Sequence, residues 1–370
     1  MNLRVGLIVN PLAGVGGAVA LRGSDDVAQQ AMALGALPRA AGRATEALLA
    51  LGAIHGKVSL FTGAGALGMD AALAAGWSAD IVYRGSSTTD AEDTRTLARR
   101  LSMMQVDLLL FAGGDGTARD IVDSVTEELP VLGIPAGVKM YSAVFATTPA
   151  AAGALALRFL SSTPGRTRSA EVMDLDDNDL RRDRIAPVLY GYLASPEDPR
   201  LLQGGKMRSP PSDAVHAQAI AASVVEELQP GVAYLIGPGS TTWNVKRALG
   251  GAGTLLGVDV FVDRRLREAD VTASALERIV AAQPARALVT CIGGQGHIFG
   301  RGNQQFSATV MRRIGRRGVS VLATPGKLGS LAGRPFLADL EDPLARAEMT
   351  GYVEVINGYR SKAFYRCEAF

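Results

Sequence analysis

Short apolar runs that stop on glycine, each followed by residues at helical spacing, recur along this chain and admit few architectures. Val5 to Val9 reads as a buried strand and runs into "NPLAGVGG", Asn10 to Gly17. An Ala/Leu-rich helical stretch follows to about Gly52, broken near Pro38. Lys57 to Phe61 reads as a second strand, and "TGAGALGMDAALAAG" as a loop and then a helix. "DIVYR" is a third strand. Asp90 to Met104 has helical spacing, with Asp90 as N-cap and Glu92 and Asp93 in the first turn. Val106 to Ala112 is a fourth strand, Ala118 to Thr126 a short helix, and Val131 to Pro135 a fifth strand. Such alternation predicts an α/β fold, a parallel sheet covered by helices.

From about Ser161 the texture changes to strand-like pieces joined by polar turns, which predicts a hairpin or small antiparallel layer. Arg181 to Arg184 suit a solvated hairpin tip, and "QGGKMRSPPSD" suits a loop. A second alternating series then begins. It has a strand ending at Ile236, a helix to Leu249, a strand in "LGVDVFVD" and a helix over Thr272–Ala282. A strand ending at Ile292, a helix over Phe306–Ile314 and a strand in "GVSVLATPG" complete it. The predicted division is an N-terminal α/β domain over 1–149 and a C-terminal domain over 150–370, the latter with an antiparallel layer and an α/β unit. "AAAGALALRFL" reads as a helix feeding the second domain. Roughly the last 20 residues are expected to pack back on the first domain.

Composition narrows the class. The chain has 370 residues, 48% hydrophobic and 20% charged, enough apolar content for a sizeable core. Its net charge of +2, with signs interspersed, gives no electrostatic case for nucleic acid or an anionic membrane. Its two cysteines, Cys291 and Cys367, offer no disulfide framework or metal spacing and read as core thiols. His55, His216 and His297 show no zinc spacing, and only His297 stands in a candidate loop. There is no signal-peptide h-region and no apolar stretch near the ~18 residues of a membrane span, so a cytoplasmic protein is expected.

Four strand-end loops carry the chemistry. Asn10 and Gly14 lie in the first; Gly113, Gly114, Gly116 and Thr117 in the second, "GGDGT". Gly237, Gly239, Ser240, Thr241 and Thr242 lie in the third, "GPGSTT". The fourth, "GGQGHIFGRGNQQ", holds Gly293, Gly294, Gln295, Arg301, Asn303, Gln304 and Gln305. Ligands of open α/β sheets bind beyond the carboxyl ends of strands, where glycine lets backbone N–H groups approach an anion and a helix N-terminus adds positive charge. One such loop reads equally well as a tight turn; four in one chain favour phosphate binding. None matches the Walker pattern or a G-x-G-x-x-G opening a helix. Asp115, beside this cradle, has three open roles: holding Mg²⁺, accepting a proton from an attacking hydroxyl, or capping the next helix. Thr117 suits a phosphate contact or the same cap. Lys139 is either a cation for a di- or triphosphate or a solvated lysine. Arg301 and the following amides suit a phosphate, a base edge or ribose hydroxyls, or form a polar loop. Ser24 and Asp25 read as a helix cap.

Taken together, these residues resemble a known family. "GGDGT" matches the motif of the superfamily that groups NAD kinases, diacylglycerol and sphingoid lipid kinases and, more distantly, phosphofructokinases. "NPLAGVGG" resembles the Asn-Pro-x-x-Gly loop that opens the same fold. Leu132 to Gly153 and Ile292 to Ser307 resemble a divergent branch of the ATP-NAD kinase family, the predicted polyphosphate/ATP-dependent NAD kinases and the acetoin-catabolism X proteins. The resemblance implies an NAD kinase/diacylglycerol kinase-like first domain and a second domain that closes over a nucleotide. It implies ATP and Mg²⁺, with NAD as substrate and Asp115 as base on the adenosine 2′-hydroxyl. Gly113, Gly114, Gly116 and Thr117 would bind phosphate. A homo-oligomer, with a dimer favoured, is implied too. Two departures stand out. No Asn-Glu pair follows GGDGT, and Gly231 to Pro325 reads as α/β where the ordinary second domain is mainly β. They keep two alternatives open: a kinase of another small hydroxylated metabolite, and a non-catalytic nucleotide-binding regulator. If the second domain is parallel α/β, its glycine loops are expected to face a cleft bordered by Asp115.

Overall fold

The computed structural model describes residues 2–21, 28–86, 89–138, 140–162, 165–175, 187–198, 201–202 and 212–370. Two compact units emerge. The first comprises Met1–Val15, Gly23–Met32 and Leu37–Gly205; the second comprises Gly16–Arg22, Ala33–Ala36 and Lys206–Phe370.

In the first unit, β1 (Leu3–Val9), β2 (Val58–Gly63), β3 (Ala79–Tyr83), β4 (Leu108–Gly113) and β5 (Val131–Pro135) form one parallel sheet in the order β3-β2-β1-β4-β5. Every residue of β4 and β5 is buried, which explains their unbroken apolar runs. The helices are α1 (Ala28–Ala33), α2 (Ala40–Ala50), α3 (Met69–Ala74), α4 (Ala91–Met103), α5 (Asp115–Val122) and α6 (Pro149–Leu160). α2, α3 and α6 cover one face, largely through alanines; α4 and α5 cover the other. Asp90 and Asp93 complete a capping box at the start of α4, as their spacing predicts. Strand order reverses between β1 and β4. A crevice therefore opens at their carboxyl ends, where loops leave in opposite directions.

Two expectations need correcting. α5 begins at Asp115, three residues before the predicted Ala118, because Gly114 adopts an extended N-cap conformation (φ −121°) and the helix starts inside the glycine motif. The antiparallel layer, β6 (Thr167–Leu175) with β7 (Pro187–Pro196), belongs to the first compact unit, which runs to Gly205 rather than stopping at 149. Its Ala170, Val172 and Leu193 complete the core over α5, and Glu171 O accepts Ala143 N at 2.9 Å. α6 likewise packs on α2 within that unit, capped by Thr148. Arg181 to Arg184, residues 203–211 of "QGGKMRSPPSD", Ser24, Asp25 and Lys139 lie outside the described residues, and the last two residues of that predicted loop, Ser212 and Asp213, instead open the helix Ser212–Glu227.

The second unit is built on a nine-stranded mixed sheet, in the order β10-β9-β8-β11-β13-β15-β16-β14-β12. β8 (Ala233–Ile236), β11 (Ala285–Val289), β13 (Val319–Leu322) and β15 (Gly351–Gly358) run parallel at its centre. β9 (Asp259–Val262) and β10 (Arg265–Glu268) continue it antiparallel on one side. β16 (Ser361–Ala369) pairs antiparallel with β15; β14 (Phe336–Ala338) and β12 (His297–Phe299) follow. The α/β reading is right for the centre, and the flanks are mixed. β16 has ladder partners on both sides within this sheet. α7 (Ser212–Glu227) and α8 (Ser240–Ala248) cover one face. α9 (Ala273–Ala282), α10 (Ala308–Ile314) and α12 (Pro343–Met349) cover the other, and α11 (Pro325–Gly329) follows β13. Cys291 and Cys367 are buried thiols of this core. Among the described residues, no helix is long and apolar enough to cross a membrane.

Candidate active site

Three loops meet at the β1/β4 crevice of the first unit. Asn10 leaves β1 and donates its side-chain amide to Thr117 Oγ1 at 2.9 Å, while its Oδ1 accepts Leu12 N at 3.1 Å. One side chain therefore ties the first glycine loop to the second. Gly14 has φ +79°, and a methyl there would stand 2.2 Å from Ala136 O in the loop after β5. Gly14→Ala is expected to cost about 1–3 kcal/mol, the strain of a left-handed non-glycine residue plus that overlap. Urea unfolding measures it, and an unchanged midpoint would show that the loop does not need the glycine.

Asp115 is the first residue of α5, and its carboxylate does not cap that helix. It crosses instead to the loop after β5. Oδ2 accepts Tyr141 N at 2.6 Å; Oδ1 accepts Ser142 N at 3.0 Å and lies 2.6 Å from Ser142 Oγ. The residue is 4% exposed. Burial pushes its pKa up to about 7, against the pull of these hydrogen bonds and with a small further push from Asp174. Burial also raises the Tyr141 phenol, and the Asp115 charge adds to that. Ser142 Oγ accepts Met173 N at 3.0 Å and stands 2.9 Å from Met173 O. Its single proton has two acceptors. It points to Asp115 when the carboxylate is ionised and to Met173 O when Asp115 holds a proton. Both states of Asp115 are thus hydrogen-bonded, as a group exchanging a proton near neutral pH requires.

The raised pKa fixes a sign. A proton bound more tightly in the folded state stabilises it fully below the unfolded pKa of 3.8, and that advantage is lost as pH rises through about 7. The stability of wild type relative to Asp115→Asn should therefore fall between pH 4 and 7 and level off above. Thermal melts across that range read it; a flat difference would show an ordinary carboxylate.

The first-turn N–H groups of α5, from Asp115, Gly116 and Thr117, have no side-chain cap and suit an anion. Gly113 O accepts the N–H groups of Ala136 and Gly137, which closes the cradle on β5. A resident metal fits poorly. No group of three or more His, Cys, Asp or Glu that could hold an ion occurs among the described residues, and the Asp115 oxygens already face N–H and O–H donors. Tyr141 and Ser142 lie in the stretch Leu132 to Gly153, but nothing in their residue types marks them individually as site residues.

The remaining predicted residues lie in the second unit. Gly237 N donates to Leu288 O at 2.9 Å, and Gly239 is the N-cap of α8 at φ +125°. Ser240, Thr241 and Thr242 form the first turn; Thr242 Oγ1 donates back to Gly239 O at 2.9 Å. Gly293, Gly294 and Gln295 form a turn after β11, which ends at Val289 rather than Ile292. Gly294 N donates to Ser330 Oγ at 3.0 Å, and Gly294 O accepts Arg334 Nη2 at 2.8 Å, so this turn is fastened to the protein itself. Arg301 is buried beside Asp339, Nε to Oδ2 3.7 Å. Asn303 donates to Ile298 O at 2.8 Å, Gln304 packs over Gly17, and His297 stacks edge-on to Phe370.

The first unit is thus a doubly wound sheet with a glycine-rich loop and a buried carboxylate at its switch point, an architecture open to ligand binding at that crevice. Residues 5–162 match the family model for the ATP-NAD kinase N-terminal domain, and residues 230–367 that for the ATP-NAD kinase C-terminal domain. The chain belongs to the ATP-NAD kinase family, which places it among kinases. No curated protein and no solved structure matches it.

Proposed function

We propose that this protein transfers the γ-phosphoryl group of ATP to the 2′-hydroxyl of the adenosine ribose of NAD, giving NADP and ADP. Asp115 carries the reading: it is a buried carboxylate with a pKa of about 7 at the carboxyl end of β4, beside a cradle of helix N–H groups. The acceptor oxygen bonds to the γ-phosphorus as the bond to the β–γ bridging oxygen breaks. The acceptor proton passes to Asp115, and ADP leaves with the bridging oxygen. The α5 N-terminus and Thr117 hold phosphate oxygens, so the protein contributes position and charge. A divalent ion would arrive on the ATP phosphates.

The direct test mixes protein, Mg-ATP and NAD and follows NADP and ADP together. Equal yields support the reading. ADP formed only with a different hydroxylated acceptor would replace NAD, an alternative favoured by the missing Asn-Glu pair after GGDGT. No turnover with any acceptor would favour a nucleotide-binding regulator. Polyphosphate in place of ATP tests the donor. A homodimer and a cytoplasmic location complete the proposal; light scattering at assay concentration reads the first, and cell fractionation the second.

A further inference from the structure

The second unit buries a cation that no sequence motif marks. Lys327 lies on α11 and is 8% exposed. Its Nζ donates to Thr290 Oγ1 at 2.8 Å. An ammonium has three protons to place. Among the described residues, no carboxylate lies within 4.0 Å of it. Asp213 and the Cys291 thiol act on it from further away, and burial lowers its pKa. Asp213 accepts the Thr324 hydroxyl at 2.8 Å and is in use there. A buried cation with no carboxylate in direct contact is costly, and an anionic ligand lowers that cost.

Thr290 sets where this ammonium stands. Its hydroxyl receives Lys327, while its methyl packs on Gly239: a Cβ on Gly239 would stand 2.5 Å from Thr290 Cγ2. Gly239 opens α8, whose first-turn N–H groups have no side-chain cap. Their partial positive charge lies along the same loop.

A second observation comes from the other flank. A Cβ on Gly237 would stand 3.8 Å from the Phe306 ring, and Phe306 N donates to Asn303 O at 3.1 Å. Asn303 and Gln305 are each 4% exposed. Asn303 Nδ2 donates to Ile298 O at 2.8 Å, which fixes the direction of the amide. Asn303 Oδ1 and Gln305 Oε1 then have no donor among the described residues. Buried carbonyl oxygens left so are uncommon and take a donor from an ordered water or from a ligand.

We infer that the loop Gly237–Ser240 is a phosphate subsite of the second unit, with Lys327 as its cation. The Asn303 and Gln305 amide oxygens receive N–H or O–H donors from the rest of the ligand. The ligand class is a phosphate monoester that also carries hydroxyl or amino groups. The subsite does not depend on NAD being the acceptor.

Hydrogen exchange on the full-length protein tests this, with AMP and inorganic phosphate as probes. AMP is expected to slow exchange in peptides spanning 237–245, 302–306 and 324–330. Inorganic phosphate should protect the first and last of these and leave 302–306 unchanged. Lys327→Met replaces the ammonium by an apolar chain of similar length, so it should fold. It should weaken AMP binding at this loop roughly 10–100-fold, the loss of a charge-assisted contact. Should that variant not fold, the wild-type exchange map decides alone. Protection confined to 113–118, or Lys327→Met binding AMP at 237–245 like wild type, overturns the subsite and leaves the kinase reading intact. Protection at 237–245 without NADP formation does the reverse.

Discussion

Asp115→Asn is expected to lower kcat roughly 10²–10⁴-fold, the usual range for a general base. It should also destabilise the fold by about 1–3 kcal/mol. From the sequence alone this substitution is expected to leave the fold intact while lowering kcat, and the structure changes the first part of that. Both carboxylate oxygens face donors: Tyr141 N on one, Ser142 N and Oγ on the other. Asparagine offers one acceptor, so its NH₂ must meet a backbone N–H. Steady-state rates and urea midpoints on one preparation separate the two effects. A variant with lower stability and full kcat would make Asp115 a loop clamp and nothing more. Full stability with lost kcat would show that the loop after β5 is held by other contacts.

Lys246→Ala should cost about 3–5 kcal/mol, because it leaves a buried carboxylate without its cation. Lys246 Nζ and Asp259 Oδ2 stand 2.7 Å apart with both side chains 0% exposed. Lys246 also donates to Thr254 O and Gly257 O, and Asp259 accepts Thr254 N and Asp270 N. The network fixes the loop from which Leu255 O accepts Gly239 N at 3.0 Å, so it also sets the α8 N-terminus. Lost stability with unchanged exchange at 237–245 would separate the two consequences. A loss under 1 kcal/mol would show that water reaches Asp259 once the lysine is gone.

Local patterns in the sequence go far with this chain. Apolar runs broken by glycine locate β1 to β5, and Asp90 with Asp93 marks the start of α4, because periodicity and capping are decided within a few residues. GGDGT, at the carboxyl end of β4, is legible for the same reason. The hairpin β6–β7 is legible as a hairpin and illegible as part of the first unit, since its apolar residues do not say which core they complete. The β15–β16 pair passes unseen, because β16 alternates buried and exposed residues weakly and takes its partners from Gly351–Gly358 and from β14.

What the sequence determined by itself is which residue types stand at the ends of which strands. The structure decided what each of them touches. Asp115 finds its donors 26 and 27 residues away, which turns a possible cap or metal ligand into a clamped carboxyl with a raised pKa. Arg301 finds Asp339 inside the second unit. Lys327, which no motif marks, becomes a buried ammonium resting on Thr290. Charge and hydrogen-bonding capacity are written residue by residue. Burial and partnership depend on contacts between distant segments, and these set the pKa of a carboxyl and the ligand an ammonium will accept.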